Sequence, residues 1–311
     1  VGWFPHVSET FVIDQVAHLL DRGVDVEIFA FHRGETEFVS RRFFDYRMAE
    51  RVTYLDPPLS RTARVRGAWR PVRQLARHNA RSVLRAVNGF RFGRRASSLR
   101  LLYWASEFVN RGFDVVHCHF GPFARDFVAI REVIGSGVPL VTTFYGYDVS
   151  KVFREQPPDY YDGLKQACSL YFVMSRDMKR RVVAAGFREE LVQVLPVGID
   201  VEDYPYHRRT LAAEHAELRI VAVGRFVEKK GFDDLLRAVA IVRKQSPRPV
   251  RCTVIGGGPL EVELRSLAES LGVADIVEFG GYMPVERVIE LFGDMHVLVQ
   301  PSKTAADGDM E

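Results

Sequence analysis

The residues best suited to chemistry lie in one run, Val221-Ala222-Val223-Gly224-Arg225-Phe226-Val227-Glu228-Lys229-Lys230-Gly231. An apolar strand runs into a glycine, an arginine follows, and two lysines precede a glycine that opens a helix. Such a turn binds anions: glycine lets backbone come close, the helix start offers unpaired N–H groups, and cations flank the space. Arginine can grip a phosphate with two parallel hydrogen bonds, whereas lysine acts as a point charge. Of the two lysines, Lys230 is favoured because it stands directly before Gly231. Two further glycine turns follow the next strands, Ile255-Gly256-Gly257-Gly258-Pro259 and Phe279-Gly280-Gly281-Tyr282-Met283-Pro284. Each offers bare backbone to a flat base or a ribose, and together they would line one crevice. A solvated turn with ordinary surface cations is the alternative. No Walker pattern and no strand-borne GxGxxG occurs, which disfavours common ATPases and nicotinamide dehydrogenases.

A second group sits earlier in the chain. His117-Cys118-His119 places two histidines on one face of a strand, but no third ligand is close in sequence, so no metal is expected. His119 is the strand-end candidate for a binding site, with His117 buried or facing the linker. Ser8-Glu9-Thr10 begins a helix, where an acid is favoured by the helix dipole. Cys118, Cys168 and Cys252 are too few and too scattered for a disulfide framework, which points to a reducing compartment.

These residues need a scaffold, and the pattern supplies one. Short apolar runs alternate with helical stretches: strands at 24–31, 114–120, 140–144 and 170–174, with Ser175 capping the helix that follows. After a helix-poor passage at 203–217 the alternation restarts, with strands at 219–223, 251–255, 276–279 and 296–300. This predicts an α/β protein of two doubly wound parallel-sheet domains, 1–199 and 200–311. Its 311 residues and 47% hydrophobic content suit two cores. In such sheets ligands bind beyond the carboxyl ends of the strands, where the glycine turns lie. The chain opens at Val1 on a strand already under way and closes at Glu311 after an apolar run. The expectation is a fragment whose second domain is cut short.

The formal charge of +3 conceals an asymmetry. Residues 57–106 hold twelve arginines, no lysine and no acid, leaving 31 basic against 40 acidic residues elsewhere. Within 61–87, Arg66, Arg70, Arg73, Arg77, Arg81 and Arg85 recur at helical spacing opposite an apolar stripe. The expectation is one amphipathic helix, bent near Pro71, with a basic face. That face could simply be solvated. Nucleic acid is disfavoured because no aromatic–basic platform accompanies it. An anionic lipid surface fits better, and no stretch is long and apolar enough to span a bilayer.

Taken together, GRFVEKKGF, VIGGGPL, EFGGYMP and the closing segment from Val299-Gln300-Pro301-Ser302 to Glu311 resemble family-4 glycosyltransferases of the GT-B fold. FPHVSETF, VHCHFG, TTFYGYD and LPVGID resemble the branch that builds bacterial exopolysaccharides, the colanic-acid-type transferases. The resemblance implies a retaining, metal-independent enzyme without cofactor, moving sugar from a nucleotide-diphosphate sugar to a saccharide or lipid-linked saccharide acceptor. It implies that Arg225 and Lys230 neutralise the diphosphate and that Glu311 holds the donor sugar. Gly224, Gly256, Gly257, Gly281 and Tyr282 would surround the donor. Ser8, Glu9, His119, Gly121, Tyr145, Gly146 and Asp148 would border the acceptor cleft. Tyr145 departs from the pattern: many relatives carry histidine there, and tyrosine cannot take a proton near neutral pH as imidazole can. The expected location is cytoplasmic, peripheral at the inner face of the cell membrane. A GT-B nucleotide-sugar epimerase and a non-catalytic nucleotide-sugar or membrane-binding protein are the alternatives.

Overall fold

The computed structural model describes residues 1–206, 208 and 216–310. The chain divides into two compact units. One takes Val1–Phe4, Val26–Gly34 and Glu50–Val197; the other takes Pro5–Asp25, Glu35–Ala49 and Gly198–Glu311. Part of the expected linker at 203–217 lies outside the described residues, as does Glu311.

The first unit is built on four parallel strands in chain order: Val116–His119, Leu140–Phe144, Leu170–Val173 and Val192–Val194. Leu140, Phe144, Tyr171 and Val173 are buried, and with Ile130 and Val133 of the helix Gly121–Ile134 they form the core. Ser175 caps the helix Arg176–Ala184 as expected, its hydroxyl accepting from the Met178 N–H at 3.1 Å. The front of the chain is more broken than its pattern suggests. The strand expected at 24–31 is only Ile28–Ala30, paired with Val52–Tyr54, while Trp3–Phe4 pairs with His32–Arg33.

The basic block requires a correction. The single helix bent near Pro71 is three helices: Arg61–Gly67, Trp69–His78 and Ala80–Ala86. Pro71 is buried in the first turn of the middle helix, where its missing N–H would have had no intrahelical partner, so it starts a helix instead of bending one. The chain is interrupted at Asn79, whose extended backbone ends one helix and whose side chain accepts from the Arg81 N–H at 2.9 Å to begin the next.

The second unit has four parallel strands in the order Val277–Gly281, Val250–Ile255, Leu218–Val223, Val297–Leu298. The sheet grows one way from Leu218–Val223 and then reverses, which is the doubly wound arrangement. Ile220, Ala222, Cys252 and Val254 pack against Leu235, Leu236 and Val239 of the helix Phe232–Gln245. The last strand, expected at 296–300, is Val297–Leu298, flanked by backbone hydrogen bonds from His296 N to the Arg219 carbonyl and from Val299 N to the Val221 carbonyl, both 2.9 Å.

Candidate active site

In the second unit the three glycine turns meet. The Gly224 N–H donates to the Ile255 carbonyl (3.0 Å), the Phe226 N–H to Gly257 (2.9 Å), and the Gly256 N–H to Gly281 (2.9 Å). The Tyr282 hydroxyl closes the set by donating to the Gly257 carbonyl at 2.9 Å. Gly256 has a φ of 127°, and a Cβ there would stand 2.0 Å from the Gly224 oxygen, so only glycine lets these turns touch. The result is a rim of bare backbone across adjacent strand ends, with the Phe38 ring 6.3 Å from Tyr282.

Cations stand on this rim. Arg225 is exposed and makes no ion pair among the described residues. The Lys230 stem runs past Gly224, its Cδ 3.4 Å from where a Cβ would stand. Lys229 Nζ lies 3.2 Å from Asp309. Gly231, in the left-handed region at φ 65°, could not be another residue: its Cβ would fall 2.0 Å from the Pro301 oxygen. The Lys230–Gly231 turn is therefore seated on the Pro301-Ser302 segment.

Ser8 and Glu9 belong to this unit too. Burial pushes the Glu9 carboxyl up to about 7, with nearby positive charge, including that of Arg225, pulling the other way. Sequence reading passed over His6. Its Nδ1 lies 2.9 Å from the Ser8 hydroxyl, and burial, then the Arg225 charge, lowers its proton affinity. The signal was its place in FPHVSETF, directly before the Ser8-Glu9-Thr10 turn.

The remaining predicted residues gather in the first unit. His119 is buried at its strand end, with Nδ1 2.8 Å from the Tyr145 hydroxyl and the two rings nearly parallel. His117 is half-buried and its Nε2 lies 2.6 Å from Thr143 Oγ1. Burial lowers His117 to about 4 and takes His119 well below the usual imidazole range, so both rings are neutral. Among the described residues no group of three or more His, Cys, Asp or Glu could hold a metal. Asp148 fastens the turn: its carboxylate accepts from Tyr145 N and Gly146 N at 3.0 Å and from Gly121 N, the first residue of the following helix, at 3.1 Å. Burial outweighs these three donors and raises Asp148 to about 6. Between His119 and that helix, Phe120 holds a φ of 70°, a strained value for a bulky residue.

The predicted membrane-facing residues lie on the short helices. Arg66, Arg70, Arg73, Arg77 and Arg81 are exposed and make no ion pair among the described residues. Arg85 is exposed as well and reaches the Glu132 carbonyl at 3.3 Å. Trp69 and Leu84, 67% and 71% exposed, project beside them. Among the described residues no helix is long and apolar enough to cross a membrane.

Comparison with known proteins identifies the family. Residues 8–203 match the family model described as Glycosyltransferase Family 4, and residues 204–308 the model for Glycosyl transferases group 1. The chain is 31% identical to the putative colanic acid biosynthesis glycosyltransferase WcaL of Escherichia coli K12, covering 99% of this chain and 75% of that protein. It is 32% identical to the amylovoran biosynthesis glycosyltransferase AmsK of Erwinia amylovora, again over 99% and 75%. Among solved structures, Anabaena Alr3699/HepE in complex with UDP and glucose superposes with a TM-score of 0.62 at 15% identity, over 99% of this chain and 75% of that one. WaaG, a glycosyltransferase involved in lipopolysaccharide biosynthesis, gives 0.58 at 14%, over 98% and 74%. At such identities the two structures speak for the fold alone.

Proposed function

Because the chain belongs to glycosyltransferase family 4 and has the α/β architecture of GT-B enzymes, we propose that it transfers a sugar from a nucleotide-diphosphate donor to a saccharide acceptor in exopolysaccharide synthesis. The observation that carries this reading is the backbone rim with Arg225 and Lys230 upon it. A diphosphate laid against that bare backbone would meet two cations as negative charge builds on the leaving group, which is electrostatic stabilisation of departure. Both relatives of about 31–32% identity are named for polysaccharide biosynthesis, and the HepE neighbour was solved with UDP and glucose.

On this reading transfer proceeds with retention and needs no divalent ion, since the two side-chain cations neutralise the diphosphate. The acceptor side draws on the His119–Tyr145 hydrogen-bonded pair, with the imidazole neutral, on a turn that Asp148 holds in place. No base is assigned to Tyr145; the departing phosphate would take the acceptor proton. The unpaired arginines of the first unit face anionic lipid at the inner surface of the cell membrane, where a lipid-linked acceptor would be met.

Turnover tests the proposal. Sugar transfer from a nucleotide-diphosphate sugar in the presence of a chelator, with the anomeric configuration of product read by NMR, should show retention. Conversion of the donor with no acceptor product would point to an epimerase. Loss of transfer on chelation would overturn the assignment of neutralisation to Arg225 and Lys230.

A further inference from the structure

The loop that carries Lys230 is sewn to a later segment by polar links that no sequence motif announced. The Lys303 N–H donates to the Lys229 carbonyl at 2.9 Å. The Ala306 N–H donates to Glu228 Oε1 at 3.0 Å, and Lys229 Nζ pairs with Asp309. Above all, Lys303 Nζ stands 2.7 Å from both Asp233 oxygens and 3.0 Å from Asp234 Oδ2. Asp233 and Asp234 occupy the first turn of the helix Phe232–Gln245, two and three residues after Gly231.

Those two acids are in an awkward place. Acids in a first turn are favoured by the helix dipole, but here they sit beside the loop proposed to receive a diphosphate, and they compete with it for the same positive potential. The described charged groups along this stretch are Glu228, Asp233, Asp234, Asp307 and Asp309 against Arg225, Lys229, Lys230 and Lys303. With Lys229 committed to Asp309, Lys303 is the cation in contact with the first-turn pair. Lose it and two uncompensated carboxylates face the incoming phosphates.

We infer that Lys303 is a positioning residue of the donor site: it holds and neutralises Asp233 and Asp234, so that the potential at the Lys230–Gly231 turn stays open to a diphosphate. The inference rests on the donor-site reading above and adds a residue and a role to it. Lys303 itself touches no substrate in this account.

The test is calorimetric binding of UDP and of GDP to the chain and its variants at low and moderate salt. Lys303→Met should weaken nucleoside-diphosphate binding by roughly three- to thirtyfold, with the deficit shrinking as salt rises. Lys303→Arg should retain binding. The triple variant Lys303→Met/Asp233→Asn/Asp234→Asn should recover most of the loss, because the carboxylates that needed compensation are gone. In turnover the deficit should lie in KM for the donor, with kcat little changed. A Lys303→Met chain that binds as well as the parent overturns the inference, and so does a triple variant no better than Lys303→Met, which would mean Lys303 is only a packing tie. Should Lys303→Met fail to fold, Asp233→Asn/Asp234→Asn with Lys303 kept must bind as tightly as the parent or tighter; weaker binding overturns the inference. If the parent chain binds neither UDP nor GDP, the donor-site reading itself falls, and this inference with it.

Discussion

The arginine layer of the first unit and the donor loop of the second are both rich in cations, and they use them differently. In the layer, the arginines that turn inward are spent on the protein. Arg64 is buried and donates to the carbonyls of Ser98, Pro58 and Leu59 at 2.6–2.8 Å. Half-buried Arg95 pairs with Asp126, and the exposed Arg91 is also matched, by Glu132. Those on the outer faces, from Arg66 to Arg81, make no ion pair among the described residues. On the Trp69–His78 helix, Arg70, Arg73 and Arg77 share one face, opposite buried Pro71 and Leu75. In the loop Lys229 is matched by Asp309 and Lys303 by Asp233 and Asp234, while Arg225 has no ion pair among the described residues. A matched cation holds the fold together; an unmatched one is available to an anion from outside. An extended row suits a charged surface, and a single arginine over bare backbone suits one phosphate group.

The largest effect should come from the single arginine. Arg225→Ala is expected to lower kcat by about a thousandfold, the scale of losing one donor aimed at developing charge, while the unfolding midpoint hardly moves because Arg225 makes no ion pair among the described residues. Activity near the parent level would erase the distinction between matched and unmatched cations. The row should respond in proportion. Replacing Arg70, Arg73, Arg77 and Arg81 together by glutamine should weaken binding to phosphatidylglycerol-containing vesicles by about a hundredfold at low salt, since each basic residue near such a surface contributes about 1 kcal/mol and part of that is screened. Transfer to a soluble acceptor should be spared. Unchanged vesicle sedimentation would make the row a solvated face and nothing more.

Much of this was legible in the sequence, for physical reasons. Strand Leu140–Phe144 appears with its expected bounds because five apolar or β-branched residues end at a glycine-bearing turn. The donor rim was readable because glycine at Gly224, Gly256 and Gly257 has few other uses at strand ends. The broken basic helix was not: periodicity measures which residues share a side, and Arg61 to Val87 keep that period across two breaks, of which the capping role of Asn79 could have revealed the second. Lys303 was hidden for another reason. Its partners lie 69 and 70 residues earlier in sequence, and only the turn of the sheet brings Pro301-Ser302 under Gly231. His6 was overlooked because a lone histidine before a helix carries no pattern; its meaning comes from the burial and the Arg225 charge that it shares with Glu9.

Glu9 offers the finest probe of the comparison, because it reports on the unmatched arginine from the acid's side. Its carboxyl is pushed from 4.5 up to about 7 by burial, against the pull of positive charge that includes Arg225. Between those values the folded chain keeps a proton that the unfolded chain has released, so the folded state binds more protons and its stability falls as pH rises. The loss begins near pH 4.5 and is complete above about 7. Replacing Glu9 by glutamine removes this slope, so the variant should gain on the parent by about 2 kcal/mol at pH 8 and by almost nothing at pH 4, read from denaturant midpoints across that range. Arg225→Ala should push the Glu9 transition higher still, because a charge that favoured the carboxylate is gone. Parallel pH profiles for the parent and the glutamine variant would mean that Glu9 titrates as a solvated acid.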